Sequence, residues 1–255
     1  TVTMAEYVAG SEAAFLDMMN QKAEELGMKD THYLNTTGFD EEGQYTSAYD
    51  IALVARELMK HELVFEYSTI WMADLRDGKT QLANTNKLLK TYQGITGLKT
   101  GTTDDAGNCF CGTAQRGELK LISVVLGCTT SADRFSSTVK LLDHGFDNWS
   151  LVKPEMETSA YSIPVLNGME RQVQGVVTFD DEVLVQKGSE GNITYEVELA
   201  ENVEAPVEEG QVLGKVKCML GEEALCEFPV KAEKAVAPIT FRSVFDILFR
   251  GLIAP

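Results

Sequence analysis

The chain predicts an α/β domain of helices and a three-stranded antiparallel meander, followed by a small all-β sandwich domain. Three observations carry this. Residues 1–65 place apolar side chains at helical spacing, residues 96–127 read as strands, and beyond Trp149 short alternating stretches recur between turn signals. The length of 255 residues, with 44% hydrophobic and 24% charged, is that of a folded globular chain of one large domain or two ordinary ones.

The opening, Val2-Thr3-Met4-Ala5-Glu6-Tyr7, reads like the middle of a helix and has neither the basic nor the apolar region of a signal peptide, so the natural N-terminus is expected upstream. Residues 11–26 carry Phe15, Met18, Met19, Ala23 and Leu26 at helical spacing, with Ser11 as N-cap and Gly27 as stop. After a loop over residues 35–43, Ser47-Ala48-Tyr49-Asp50 gives a capping-box-like start to a helix with Ile51, Val54, Ala55, Leu58 and Met59 on its apolar side. Residues 96–101, 108–115 and 119–127 read as three strands, the last two joined through Arg116-Gly117. Ser131 then caps a helix whose Phe135, Val139, Leu142 and Phe146 pack on that sheet.

A domain boundary is placed near residue 150, with 1–150 as the first domain and 151–237 as the β domain, its strands broken at Lys187-Gly188, Glu209-Gly210 and Gly221. The tail, 238–255, sets Ile239, Phe241, Val244, Phe245, Leu248, Leu252 and Ile253 against Arg242, Ser243, Asp246 and Arg250. It suits either an in-plane membrane anchor or a terminal helix docked on its own domain.

With 39 acidic against 22 basic residues the formal charge is -17, which repels nucleic acid, so no nucleic-acid partner is expected. Five cysteines with no Cys-x-x-Cys pair suggest neither a zinc site nor a thioredoxin motif. Cys109 and Cys111 fall on one face of a strand, where buried free thiols suffice as an explanation. Cys218 and Cys226 flank a turn and can sit opposite each other on a hairpin, where a disulfide requires an oxidising compartment.

The chemistry concentrates at Lys99-Thr100-Gly101. An ammonium and a hydroxyl on one rim can hold a carboxylate and assist proton transfer, while glycine lets a peptide lie against the strand. The tripeptide matches the third signature of the penicillin-recognising serine enzymes, and its context is Gly94-Ile95-Thr96-Gly97-Leu98 before it and Thr102-Thr103 and Ala106-Gly107 after it. With Tyr7-Val8-Ala9-Gly10-Ser11, Met18-Met19-Asn20, Leu26-Gly27-Met28, Asp30-Thr31-His32, Ser47-Ala48-Tyr49-Asp50 and residues 84–89, the chain resembles the D-alanyl-D-alanine carboxypeptidases of peptidoglycan metabolism, the low-molecular-mass penicillin-binding type.

The resemblance implies an incomplete beta-lactamase/transpeptidase-like α/β domain. It implies a catalytic role for Lys99 and substrate binding by Thr100, Gly101, Thr102 and Arg134, the last gripping the substrate's terminal carboxylate; otherwise Arg134 is an exposed residue of a first helical turn. It also implies that the nucleophile motif Ser-x-x-Lys and the Ser-x-Asn motif precede Thr1, so no nucleophile lies in this chain. A missing N-terminal segment or a partner chain would then complete the sheet, whose edge is otherwise exposed.

Two stretches imitate these motifs. Ser137-Thr138-Val139-Lys140 fits Ser-x-x-Lys but follows the Lys-Thr-Gly strand and lies within a helix, and Tyr33-Leu34-Asn35 fits turn chemistry. His32, His61 and His144 are scattered and no glycine-framed serine accompanies them, so neither a Ser-His-Asp triad nor a metal site is supported, and no cofactor is called for. Two functions stand: a serine carboxypeptidase trimming the terminal D-Ala of stem peptides, inhibited by β-lactams and held at the cell-wall side of a bacterial membrane, or a non-catalytic cell-wall scaffold. This fragment alone is expected to be inactive.

Overall fold

The chain divides into two units, Thr1–Asn148 and the residues from Trp149 onward, in a computed structural model that describes residues 1–156, 160–245 and 249. In the first unit Ser11 is extended and accepts the Ala14 amide at 3.2 Å, which starts α2 (Glu12–Glu25) after α1 (Val2–Ala9). Gly27, at φ 75°, ends it. Ser47 likewise accepts the Asp50 amide at 3.1 Å and starts α3 (Ala48–Leu58).

The capping box expected there does not close. The Asp50 carboxylate turns away and accepts the Asp30 amide at 2.8 Å and the Thr31 hydroxyl at 2.7 Å, with Asp50 only 2% exposed. Without it the part-buried Asp30 amide would lose its acceptor and the Thr31 hydroxyl would keep only Thr46, and that need outweighs the helix cap.

Then come α4 (Leu63–Ser68), a ribbon of β1 (Met72–Leu75) and β2 (Thr80–Ala83), and a short 3-10 turn (Lys87–Lys90). Strands β3 (Ile95–Thr103), β4 (Gly107–Arg116) and β5 (Leu119–Cys128) form the predicted three-stranded antiparallel sheet in the order β3-β4-β5. Helix α5 (Ser131–Asn148) is capped one residue earlier than expected. Thr130 accepts the Asp133 amide at 3.1 Å and Asp133 accepts the Thr130 amide at 3.2 Å, a closed box in which the acid three positions on selects Thr130 over Ser131.

Helix α5 lies unusually close to the sheet. A Cβ at Gly112 would stand 2.8 Å from Thr138 Cγ2, and one at Gly145 2.5 Å from Leu121 Cδ1. The seam is filled by Leu88, Phe110 and Phe135, with the two rings edge to face at 5.3 Å, and beyond them by Ala114, Leu142 and Phe146. Full burial of each large side chain contributes about 1.5–3 kcal/mol.

The second unit is all-β over the predicted β domain, 151–237, and turns helical at 241–245. A six-stranded sheet runs β10-β12-β13-β8-β7-β11 and a two-stranded one pairs β6 with β9. Their spans are β6 (Trp149–Val152), β7 (Ala160–Leu166), β8 (Gln172–Val177), β9 (Val183–Gln186), β10 (Ile193–Leu199), β11 (Val203–Glu204), β12 (Val212–Leu220) and β13 (Glu223–Ala232). Alternation along β7 and β8 buries Ile163, Val165, Val173 and Val177 and leaves their neighbours to solvent. After Pro238, Thr240 and Ser243 cap each other through amide-to-hydroxyl bonds at 2.9 and 3.1 Å. Phe241, Phe245 and Phe249 follow at a spacing of four, each more than half exposed. The part of the expected tail stripe on Leu248, Leu252, Ile253, Asp246 and Arg250 lies outside the described residues.

Candidate active site

The Lys99-Thr100-Gly101 stretch lies in β3, the terminal strand of its sheet, with Lys99 opposite Cys111, Thr100 opposite Phe110 and Gly101 opposite Cys109. Lys99 is exposed and its Nζ donates to the Thr100 carbonyl. Burial pushes the Cys111 thiol across the ladder up to about 11, so it stays protonated and unreactive beside that ammonium.

Thr100 is 8% exposed because its hydroxyl meets that of Thr85 at 2.6 Å. Beside Thr85, Asn86 holds the strand from outside and Asn84 ties this stretch to the end of α4 and the residues after it. Asn86 Nδ2 donates to the Gly97 carbonyl at 3.3 Å while its Oδ1 accepts the Leu88 amide at 3.1 Å, and Asn84 Nδ2 donates to the Ile70 carbonyl at 3.0 Å. Ser68 Oγ adds a bond to the Thr96 carbonyl at 2.5 Å. The sequence marked 84–89 only as a stretch. Its signal was the pattern of short polar side chains, Asn84-Thr85-Asn86, ahead of Lys87-Leu88-Leu89, residues able to bridge and to start a turn.

Arg134 is not an exposed first-turn residue: it is 7% exposed. Its Nη1 donates to the Gly101 carbonyl and the Thr102 hydroxyl, both at 2.9 Å, and to the Cys109 carbonyl at 3.3 Å, with its guanidinium 5.0 Å from the Phe135 ring centroid. All these bonds leave from Nη1. Nε is buried without a partner and Nη2 has no protein acceptor among the described residues. A permanently charged planar group with unspent donors is suited to a carboxylate.

Gly101 is informative in a second way. A Cβ there would have Cys109 Cβ, 4.0 Å away, as its nearest contact, so packing within this unit does not require glycine at 101. Lys99, Thr100, Gly101 and Thr102 follow one another along β3, whose outer edge pairs with no other described strand, and Arg134 of α5 is bonded to the last two; together they make a rim. Such a rim can take an extended peptide ending in a carboxylate.

The look-alike motifs are elsewhere. Ser137 is half-buried on α5 and no hydrogen bond joins it to Lys140 among the described residues. Asn35 Oδ1 accepts the Gly38 amide at 2.7 Å, the expected turn chemistry. His32 pairs with Tyr45 in an isolated bridge, His61 follows α3, and His144 lies on α5 within 3.2 Å of the Asn148 amide nitrogen.

Known proteins share this plan. A family model described as D-alanyl-D-alanine carboxypeptidase matches residues 1–130, and one described as penicillin-binding protein 5, C-terminal domain, matches residues 151–238. A curated relative from Bacillus subtilis, named D-alanyl-D-alanine carboxypeptidase DacF, is 36% identical over 240 residues, covering 92% of this chain and 61% of the relative. The structure of penicillin binding protein 5 from Haemophilus influenzae matches with a TM-score of 0.75 at 27% identity, over 92% of this chain and 70% of that one. Penicillin-binding protein D2 from Listeria monocytogenes, in its cefotaxime-bound form, matches with a TM-score of 0.53 at 38% identity, over 57% of this chain and 59% of that one.

A transpeptidase-like α/β unit followed by this β unit is the plan of a low-molecular-mass penicillin-binding protein. The chain belongs to the D-alanyl-D-alanine carboxypeptidase family. It spans between 56% and 61% of the length of the first four curated relatives it matches.

Proposed function

We propose that the gene product carrying this chain is a serine-type D-Ala-D-Ala carboxypeptidase that removes the terminal D-Ala of peptidoglycan stem peptides through an acyl-serine intermediate. The nucleophilic serine comes from residues outside this chain. The observation that carries the reading is the joining of the Lys99 strand to Arg134 through the Gly101 carbonyl at 2.9 Å. The stem peptide lies along the outer edge of β3 as an added strand, and the open face over Gly101 admits its backbone. Arg134 Nη2 takes the terminal carboxylate, with Thr102 beside it. Lys99 presents its ammonium where the serine loses its proton and the departing D-Ala amine gains one, and Thr85 holds Thr100 at the rim.

β-Lactams, which also carry a carboxylate beside an acylating carbonyl, occupy the same rim, in keeping with the cefotaxime-bound Listeria relative. The work site is the cell-wall side of the membrane. The exposed stripe of Phe241, Phe245 and Phe249 fits peripheral attachment to that surface.

The second reading is a non-catalytic scaffold that keeps the rim for cell-wall contact. It draws on Ser137, which lies on α5 and, among the described residues, has no hydrogen bond to Lys140. Covalent labelling with a fluorescent penicillin, on this chain and on the gene product extended upstream of Thr1, separates the readings. Labelling of the extended product alone supports the enzyme. Labelling of neither supports the scaffold, and labelling of this chain by itself would return Ser137 to consideration.

A further inference from the structure

Far from the rim in function, the β12–β13 hairpin sets two thiols face to face. Cys218 and Cys226 are direct cross-strand partners in the antiparallel ladder, and the register slips immediately beyond them, where Met219 pairs with Ala224 and Leu225 is left over as a bulge. Both cysteines are free. The Cys218 side chain is wholly buried among Val216, Phe228 and Val230, whereas Cys226 is half-buried at the border of that cluster, directly opposite Cys218 in the ladder.

Directly opposed residues of an antiparallel pair have Cα atoms about 4.5–5.5 Å apart, inside the roughly 4.4–6.8 Å window in which a disulfide closes without moving the backbone. A half-buried thiol directly opposite a fully buried one is the arrangement in which an oxidant reaches one sulfur and the other resolves the product.

We propose that Cys218 and Cys226 are a redox-convertible pair that closes into a disulfide across the β12–β13 hairpin, with a small-molecule or protein disulfide as the oxidant. Cys226 gives its proton to solvent and its thiolate attacks one sulfur of the oxidant, which breaks the oxidant's S–S bond and releases one thiol. Cys218 then loses its proton and attacks the Cys226 sulfur, which displaces the second half of the oxidant as a thiol. Two protein thiols are oxidised to one disulfide and one disulfide is reduced to two thiols, so atoms and electrons balance. Burial, followed by the neighbouring Cys226 thiol, pushes Cys218 up to about 12, which slows the closing step. The product pins the register at the place where the bulge weakens it.

The test uses the full chain incubated with oxidised glutathione, denatured, alkylated and mapped by peptide mass. The expected result is a linked pair of peptides carrying Cys218 and Cys226 with the loss of two hydrogen atoms, reversed by dithiothreitol, and alkylated Cys109, Cys111 and Cys128. In Cys218→Ser the first attack has no resolving thiol, so a glutathione adduct should remain at Cys226. Alkylation of both thiols after oxidation, or a link from either to Cys109, Cys111 or Cys128, would overturn the proposal. The wild-type map decides the matter even if a serine variant folds poorly. Penicillin labelling plays no part in this readout, so the outcome is independent of the carboxypeptidase reading.

Discussion

Arg134 donates from Nη1 to the Gly101 carbonyl at 2.9 Å, which fastens the first turn of α5 to the strand that carries Lys99. The bond reaches across 33 positions of sequence and is duplicated at the Thr102 hydroxyl. The same guanidinium therefore has a structural half, Nη1, and a half with donors unspent, Nε and Nη2.

Arg134→Lys separates the two halves. An ammonium keeps the charge and can reach one of the strand acceptors, but it cannot present a second pair of donors. Hydrogen bonds to charged groups are worth about 1.5–3 kcal/mol, so penicillin acylation of the upstream-extended product should fall by ~10–100-fold, with a drop in thermal midpoint from the strand bonds the ammonium does not replace. A lowered midpoint with acylation unchanged would assign Arg134 to structure alone.

Gly101 and Gly112 make a contrasting pair on adjacent strands. Gly112→Ala puts a Cβ 2.8 Å from Thr138 Cγ2 at the closest approach of α5 and should cost about 1–3 kcal/mol in urea unfolding. Gly101→Ala meets nothing nearer than 4.0 Å, so stability should hold while penicillin labelling drops. Equal destabilisation by both would mean that Gly101 serves packing and not a ligand.

Much of this fold is legible in the sequence, and the exceptions have physical reasons. Helices α2, α3 and α5 announce themselves because Phe15, Ala55 and Leu142 sit on apolar stripes, and Ser11 and Ser47 cap as expected. The β1–β2 ribbon leaves no such trace: Met72 to Leu75 are all exposed, so no face alternates. The Lys99 rim is readable as a tripeptide. Its supports are not, because the Thr85–Thr100 bridge joins residues 15 apart and depends on the fold already being made. Arg134 carries no local sign of burial, and only the resemblance singled it out.

Asp50 shows how a side chain can be wanted more by a loop than by its own helix. Asp50→Ala removes the acceptor of the part-buried Asp30 amide, leaves the Thr31 hydroxyl with Thr46 alone and opens a cavity at a buried position. The expected loss is about 2–4 kcal/mol, read as a lower urea midpoint with an unchanged slope. Asp50→Asn keeps one acceptor oxygen and should recover part of it. An alanine variant as stable as the parent would refute the assignment.

Tyr92 gives the first unit an alkaline limit. Its hydroxyl donates to Asp143 Oδ1 at 2.8 Å, and burial, followed by that bond, raises its pKa from 10.0 to about 12 against the opposing pull of Arg116. The neutral phenol is the form the fold prefers. The contribution is thus complete below pH 10 and fades as pH rises towards 12. Tyr92→Phe keeps the ring beside Ile95, Leu142 and Phe146 and removes the ionisable group. The gap between parent and variant unfolding midpoints should therefore be steady up to pH 10 and narrow between pH 10 and 12. A gap that stays constant through that interval would show that Tyr92 does not titrate in the folded chain as its bond to Asp143 requires.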